Sequence, residues 1–330
     1  MADARFGVHA VARREPLVSG GQLTLSNALT LDRTGVRADG FNEDVAANGT
    51  FIRSSTLMPV IGYQGRFEIG ADAERAKRGL GAVTPMLTPV ESLPALAARA
   101  RDRGLTPAWF TVRTTISTSL DQTALGPGDL VNEWTVNKRR HFSYRLDQPS
   151  TPMFPISAGR YAVERRVVGG VAVELWYHAA HGAHAARIVE IASRSLTVLQ
   201  QQFGAFPHKT LRLVEVPAGW GFGAYAQTGS RDLTESRGML SDARKGDVDL
   251  LVRRIGHEVA HEWWGHTVDP LWGEGRLTIV ETLAKYSEQL RLGAQQGDAV
   301  LARMMSFDHD RYLSGRANTM GLEPTLLTTA

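Results

Sequence analysis

Alternating apolar and polar positions mark the first half of the chain as strand-forming. Phe110 to Thr118 and His141 to Leu146 place β-branched or aromatic residues at every second position, the period of a pleated strand. Phe67-Glu68-Ile69 is a shorter segment of the same kind, and Gly and Pro punctuate the series at Asn48-Gly49 and Gly126-Pro127-Gly128. One helical window, Val90 to Arg103, interrupts it. After a further strand at Val171 to Tyr177 the period changes. Ala185 to Phe203 carries Ile188, Ile191, Leu196 and Leu199 near helical spacing. Thr210 to Val216 is a short apolar strand closed by Pro217, and from Asp247 onward the pattern is mostly helical. This order predicts an α+β protein, with a β-rich N-terminal domain over 1–165 and a mainly helical domain over 166–330.

Composition narrows the chemistry. The 330 residues are 43% hydrophobic and 22% charged, as in a globular protein with a real core. A formal net charge of +3 without a dense Lys/Arg run argues against nucleic acid as a partner. Lys138-Arg139-Arg140 is short and is expected to cap a strand or turn. The absence of cysteine excludes disulfides, thiolate metal sites and a cysteine nucleophile. No stretch approaches the ~18 apolar residues of a membrane span, and Met1 to Gly20 lacks the apolar core of a signal peptide. The chain is therefore expected to be soluble, either cytoplasmic or an extramembrane piece of something longer.

The segment with the most chemistry is His257-Glu258-Val259-Ala260-His261, an H-E-x-x-H pattern. Val248, Leu251, Val252, Ile255 and Val259 form an apolar stripe at helical spacing, with Asp247 as the expected N-cap. Histidines four apart stack on one helix face, rotated from that stripe, so the stripe can enter a core while both imidazoles face a cleft. Two such imidazoles suit zinc, which takes nitrogen and oxygen ligands and keeps an open position in catalytic sites. Glu258, beside the first ligand, is placed to act as general base toward a water. Glu274 and Glu281 compete to be the third ligand; Glu281 is preferred because it opens a helical window, whereas Glu274 lies in the loop-like Trp272-Gly273-Glu274-Gly275. His266 reads as a helix-end histidine contacting a carbonyl, and Trp263 and Trp264 as packing residues that hold the metal helix.

His257-Glu258-Val259-Ala260-His261-Glu262-Trp263-Trp264-Gly265, followed by Glu281-Thr282-Leu283-Ala284-Lys285-Tyr286-Ser287-Glu288, resembles the aminopeptidase N family of gluzincin metallopeptidases. With Trp263-Trp264-Gly265-His266 it looks like the bacterial branch fused to ABC-transporter permeases. Softer matches to that branch are Asn48-Gly49-Thr50-Phe51, Pro59 to Tyr63, Asp121-Gln122 with Pro127-Gly128, Ser157 to Tyr161, and Tyr312 to Arg316. The resemblance implies a thermolysin-like catalytic domain, removal of N-terminal residues from peptides, and a membrane permease as partner or fusion. Glu288 would then orient a histidine ligand.

Three departures accompany the resemblance. The interval from His261 to Glu281 is one residue longer than the family's usual eighteen. The exopeptidase motif G-x-M-E-N is absent; Thr234 to Met239 is its nearest counterpart, in which Glu235 either grips a free α-amine or lies on a surface turn. The family's oxyanion-steadying tyrosine falls farther past the third ligand than Ala330 reaches, and Tyr312 comes too early to replace it, so the catalytic domain is expected to be C-terminally incomplete. Loss of such a donor typically lowers rate on the order of a hundred- to a thousand-fold. The rival expectation is a catalytically weak, zinc-stabilised binding or regulatory module beside a transporter. Against it stand Glu258, of no use to a purely structural site, and the presence of only three visible ligands.

Overall fold

The computed structural model describes residues 44–46, 49–58, 71–81, 109–241, 248–270 and 275–318, with a few isolated or paired positions elsewhere. Phe67 and Glu68, nearly all of the helical window over 90–103, Asn48, 59–63, Asp247 and Glu274 lie outside the described residues. The chain divides into two compact units, Met1–Arg33 and Thr34–Ala330. In the first, Ala2–Asp3 pairs antiparallel with Val8–His9.

The larger unit opens with seven strands: β1 (Val45–Ala46), β2 (Gly49–Arg53), β3 (Phe110–Ser119), β4 (Thr123–Leu125), β5 (Asp129–Val136), β6 (Arg139–Ser150) and β7 (Pro155–Gly159). They form two antiparallel sheets, ordered β3-β6-β5 and β1-β2-β7-β4. The β5–β6 hairpin turns at Asn137 and Lys138, with φ of 49° and 57°. Two successive positive φ values match the twist of the flanking strands, and the basic run does sit at a turn. Phe142, Tyr144, Ala124 and Ala158 form the small core between the sheets.

A second architecture follows. Its elements are β8 (Tyr161–Val168), β9 (Val171–His178), α1 (Ala185–Phe203), β10 (Thr210–Val216), β11 (Ala224–Gln227), β12 (Ser230–Thr234), α2 (Leu250–Ala260), α3 (Leu283–Gln296) and α4 (Asp298–Ala317). Sheet membership changes between Gly159 and Tyr161, a few residues before the expected position of 165. The five strands run in the order β8-β9-β10-β12-β11; the inner pairs β9/β10 and β10/β12 are parallel, and both edge strands are antiparallel to their neighbours. The second half is thus a sheet with helices rather than mainly helical, and the whole is α+β. β12 escapes periodicity because its Ser230, Arg231, Asp232 and Thr234 are polar yet all buried.

α1 buries Ile188, Ala192, Leu196 and Leu199 on one stripe and ends at Gly204, whose φ of 100° stops the helix. That stripe meets Leu175, Leu211, Leu213 and Leu233 from the sheet and Leu251, Ile255 and Val259 from α2 in a single apolar core. Each such side chain contributes about 1.5–3 kcal/mol of burial free energy, so the core fixes the roll of α2 firmly. Among the described residues, no helix is long and apolar enough to cross a membrane.

Candidate metal centre

α2 begins at an N-cap supplied by Asp249, two residues after the expected Asp247. Its carboxylate accepts from the N–H groups of Leu251 and Val252, both at 3.2 Å, and also pairs with Arg187 of α1. Leu251, Val252, Ile255 and Val259 then face the core, which turns His257 and His261 toward the opposite side. Gly256 lies where α3 crosses: a Cβ there would stand 2.6 Å from Arg291 Nε, and Arg291 donates to the Val252 carbonyl at 2.9 Å. Only glycine admits that guanidinium, which clamps α3 to the metal helix.

The third side chain comes from a π-helical turn, Thr278–Thr282, that leads into α3 and carries Glu281. His257 Nε2 and His261 Nε2 are 3.1 Å apart. Glu281 Oε2 lies 3.4 Å from the first and 3.7 Å from the second. His257, His261 and Glu281 therefore form a group able to hold a metal ion, as the spacing predicts.

The far sides of both rings have definite neighbours. His261 Nδ1 is 3.0 Å from the carbonyl oxygen of Trp264, an acceptor that makes Nδ1 the protonated nitrogen and leaves the Nε2 lone pair free. Trp264 is presented by a turn at Gly265 (φ 107°), and its indole N–H donates to Ser287 of α3 at 2.8 Å. Trp263 packs in the core as expected, whereas the Trp264 carbonyl also orients the His261 ring. His257 Nδ1 faces Glu288 Oε2 at 3.6 Å, and neither buried atom has a hydrogen-bond partner. The other oxygen of Glu288 pairs with Lys285 at 2.6 Å. Glu288 is 1% exposed, so it is shared among Lys285, Arg253 and His257 rather than with solvent.

Burial opposes the charged form of His257, but Glu281, Glu258 and Glu288 outweigh it and raise its pKa above the ordinary histidine value. Burial and the neighbouring His257 lower His261 to about 4. The hydrogen bond from His257 and the nearby His261 hold Glu281 below the ordinary carboxylate range. Glu258 is pushed up to about 7 by burial, against the pull of His257, Arg231 and the backbone N–H of Ala226 on β11. That interaction places the edge strand β11 against the face of α2 that carries Glu258.

Behind the site, Glu262 is held by Arg231 Nη2 at 2.5 Å and by His208 Nε2 at 3.0 Å. His266 Nδ1 is buried without a hydrogen-bond partner; burial and Arg231 lower the pKa of the ring to about 3, with Glu262 pulling the other way. Glu235 belongs to another group. It sits on a π-helical turn, Glu235–Met239, with Oε1 3.5 Å from His181 Nε2, while His181 Nδ1 pairs with the buried Glu215. Sequence reading missed this histidine–carboxylate group, which joins residues from three separate segments. It also missed Tyr225 on β11, whose hydroxyl lies within electrostatic reach of Glu258 and Glu281. No protein-family model matches this chain, and no curated protein matches it either.

Proposed function

We propose that this protein is a zinc-dependent peptidase in which His257, His261 and Glu281 hold the ion and Glu258 is the general base. The observation that carries the reading is the spacing of the three donor atoms. A tetrahedral zinc with bonds of ~2.0–2.2 Å separates its ligands by roughly 3.3–3.6 Å. The separations of 3.1, 3.4 and 3.7 Å fit that edge without rearrangement of the backbone. The chemistry of the donor set, two imidazoles and one carboxylate, points the same way.

Bound zinc supplies Lewis acidity at the reacting water and carbonyl. The protein's own groups do the rest. Glu258 takes a proton from the attacking water on a carboxylate oxygen and delivers it to the leaving amine. A carboxyl group held near neutrality by burial can do both. Glu288 and the Trp264 carbonyl fix the ligand tautomers from behind. Glu262, locked to Arg231, anchors the end of the metal helix to β12. The aminopeptidase N resemblance supports the same reading and adds a permease partner. The exopeptidase part of it rests on Glu235, whose carboxylate faces His181.

The test is a paired measurement on the purified protein and on Glu258→Gln. Both are expected to bind one zinc per chain, and only the unmutated protein to cleave peptides. Full turnover by Glu258→Gln with zinc bound would remove the general base from this account. Zinc binding without turnover by either protein would favour the binding-module reading.

A further inference from the structure

We propose that Arg53, with Phe222 and Tyr225, forms an anion subsite beside the metal triad that receives a carboxylate of the peptide substrate. The inference rests on the peptidase reading and names the substrate class it would take.

Arg53 closes β2, far in sequence from the metal ligands. Its guanidinium carbon lies 4.1 Å from the ring centroid of Trp220 and 5.6 Å from that of Phe222. Trp220 is itself buried with Phe51 and Val216, so the cation is stacked on a fixed platform. Stacking occupies the faces of a guanidinium and leaves its N–H edge for planar acceptors such as carboxylates. Among the described residues, no carboxylate lies within ion-pair distance of Arg53, and its buried Nε has no hydrogen-bond partner. Other buried or half-buried arginines have carboxylate or carbonyl partners, among them Arg231 with Glu262, Arg140 with Glu133, Arg212 with the Gly126 carbonyl, Arg253 with Asp308 and Arg291 with the Val252 carbonyl. Asp232, within electrostatic reach of Arg53, has its two oxygens taken by Ser230 and Gln227.

The platform leads directly to the triad. The Phe222 ring is 5.1 Å from Tyr225, a 37%-exposed side chain on β11. β11 is the open edge of its sheet and packs against α2. At its start Gly223 abuts Arg254 of α2, and Ala226 meets Glu258. Tyr225 lies within electrostatic reach of both Arg53 and the carboxylates Glu258 and Glu281. Arg53 would offer a substrate carboxylate a partner at the far end of the Phe222–Tyr225 contact and so set how the peptide lies across the site. The carboxylate is either the C-terminal group of a short peptide or an Asp or Glu side chain.

The experiment titrates zinc-loaded Glu258→Gln calorimetrically with four matched short peptides: neutral with a free C-terminus, neutral with a C-terminal amide, and two amides carrying Asp or Asn. Carboxylate-bearing peptides should bind about ten- to a hundred-fold more tightly, the usual effect of a charge-assisted pair. Arg53→Met, which keeps the apolar stem over Trp220, should abolish the preference, and Arg53→Lys should retain part of it. Because substitution at a stacked site can disturb folding, salt is added as an independent arm: with Arg53 intact, the preference should shrink as salt rises. A gain confined to the free C-terminus identifies the terminal carboxylate, and a gain confined to Asp the side chain. Equal binding of carboxylate and carboxamide peptides overturns the proposal, as does a full preference in a folded Arg53→Met protein. Turnover by the unmutated protein is scored separately. Cleavage without carboxylate preference removes the subsite alone; carboxylate preference without cleavage of any peptide removes the peptidase reading alone.

Discussion

Replacing Arg231 by Met is the most informative perturbation of the scaffold under the metal helix. Arg231 is 1% exposed and Glu262 is 3% exposed, and they meet at 2.5 Å. The other nitrogen of the guanidinium donates to the carbonyls of Gln227 and Ser230 at 3.0 and 3.1 Å. Removing the cation leaves Glu262, among the described residues, with His208 Nε2 at 3.0 Å as its remaining side-chain partner. Breaking a buried pair from one side typically costs about 3–5 kcal/mol, a large part of the ~5–15 kcal/mol that holds a domain folded. The melting temperature of metal-free protein should fall by roughly 4–7 °C. Burial alone would raise the Glu262 pKa, but Arg231 and His208 hold it far below the usual carboxylate range. A lowered folded-state pKa contributes stability that is complete above the unfolded value of 4.5 and is lost as pH falls below it. Urea unfolding followed by tryptophan fluorescence, at pH 7 and at points below pH 4.5, measures both effects. Arg231→Met should be less stable at pH 7 and show a flatter decline in acid. Adding Glu262→Gln should restore about 1–3 kcal/mol relative to the sum of the single changes. A loss below about 1 kcal/mol, or strict additivity, would refute the idea that this pair locks α2 to β12.

Other expectations concern the site directly. Glu288→Gln should weaken zinc binding by about ten- to a hundred-fold through the orientation of His257, measured by competition with a chromophoric chelator; unchanged affinity would reduce Glu288 to a structural partner of Lys285. Glu281→Gln should weaken it further than Glu288→Gln, and the reverse ranking would displace Glu281 as the third ligand. Asp232 is raised from 3.8 to about 6 by burial, so its effect has the opposite sign to that of Glu262: stability is full below pH 3.8 and drains by about 3 kcal/mol as pH rises through 6. The stability difference between the unmutated protein and Asp232→Asn should shift by that amount between about pH 3 and pH 7, and a constant difference would contradict it.

Local features of the fold were legible in the sequence and distant ones were not. The limits of α1 and β10, the apolar stripe of α2 and the outward pair of histidines all follow from periodicity within a few turns of chain. Glu281 followed from preferring a helical setting to a glycine-flanked loop. The N-cap was misplaced because two aspartates precede the stripe and only the backbone path selects Asp249. β12 was hidden because burial of Arg231 and Asp232 depends on partners elsewhere in the chain. The stacking of Arg53 on Trp220 and the meeting of Glu235 with His181 join segments remote in sequence, and no spacing rule reports them. The role of Trp264 was half visible: its ring advertises packing, whereas the ligand-orienting atom is a backbone carbonyl common to every residue.

The π-helical turn that carries Glu281 has a consequence for how such sites change over time. A π turn accommodates one residue more than the α turn it interrupts, and the helix beyond it keeps its phase. Thr278–Thr282 is therefore a place where the interval between histidine and glutamate can lengthen by one while α3, with Glu288 and Arg291, stays in register. The count along the chain is then free to vary as long as the position in space is kept. A motif written as a fixed number of intervening residues passes over such a chain; one written as three donor atoms at tetrahedral separations does not. Deleting Val280 should turn the bulge into an ordinary helical turn and leave Glu281 in phase with α3, so that the protein stays folded and still binds zinc; loss of zinc binding by a folded deletion variant would show that the π turn itself places Glu281.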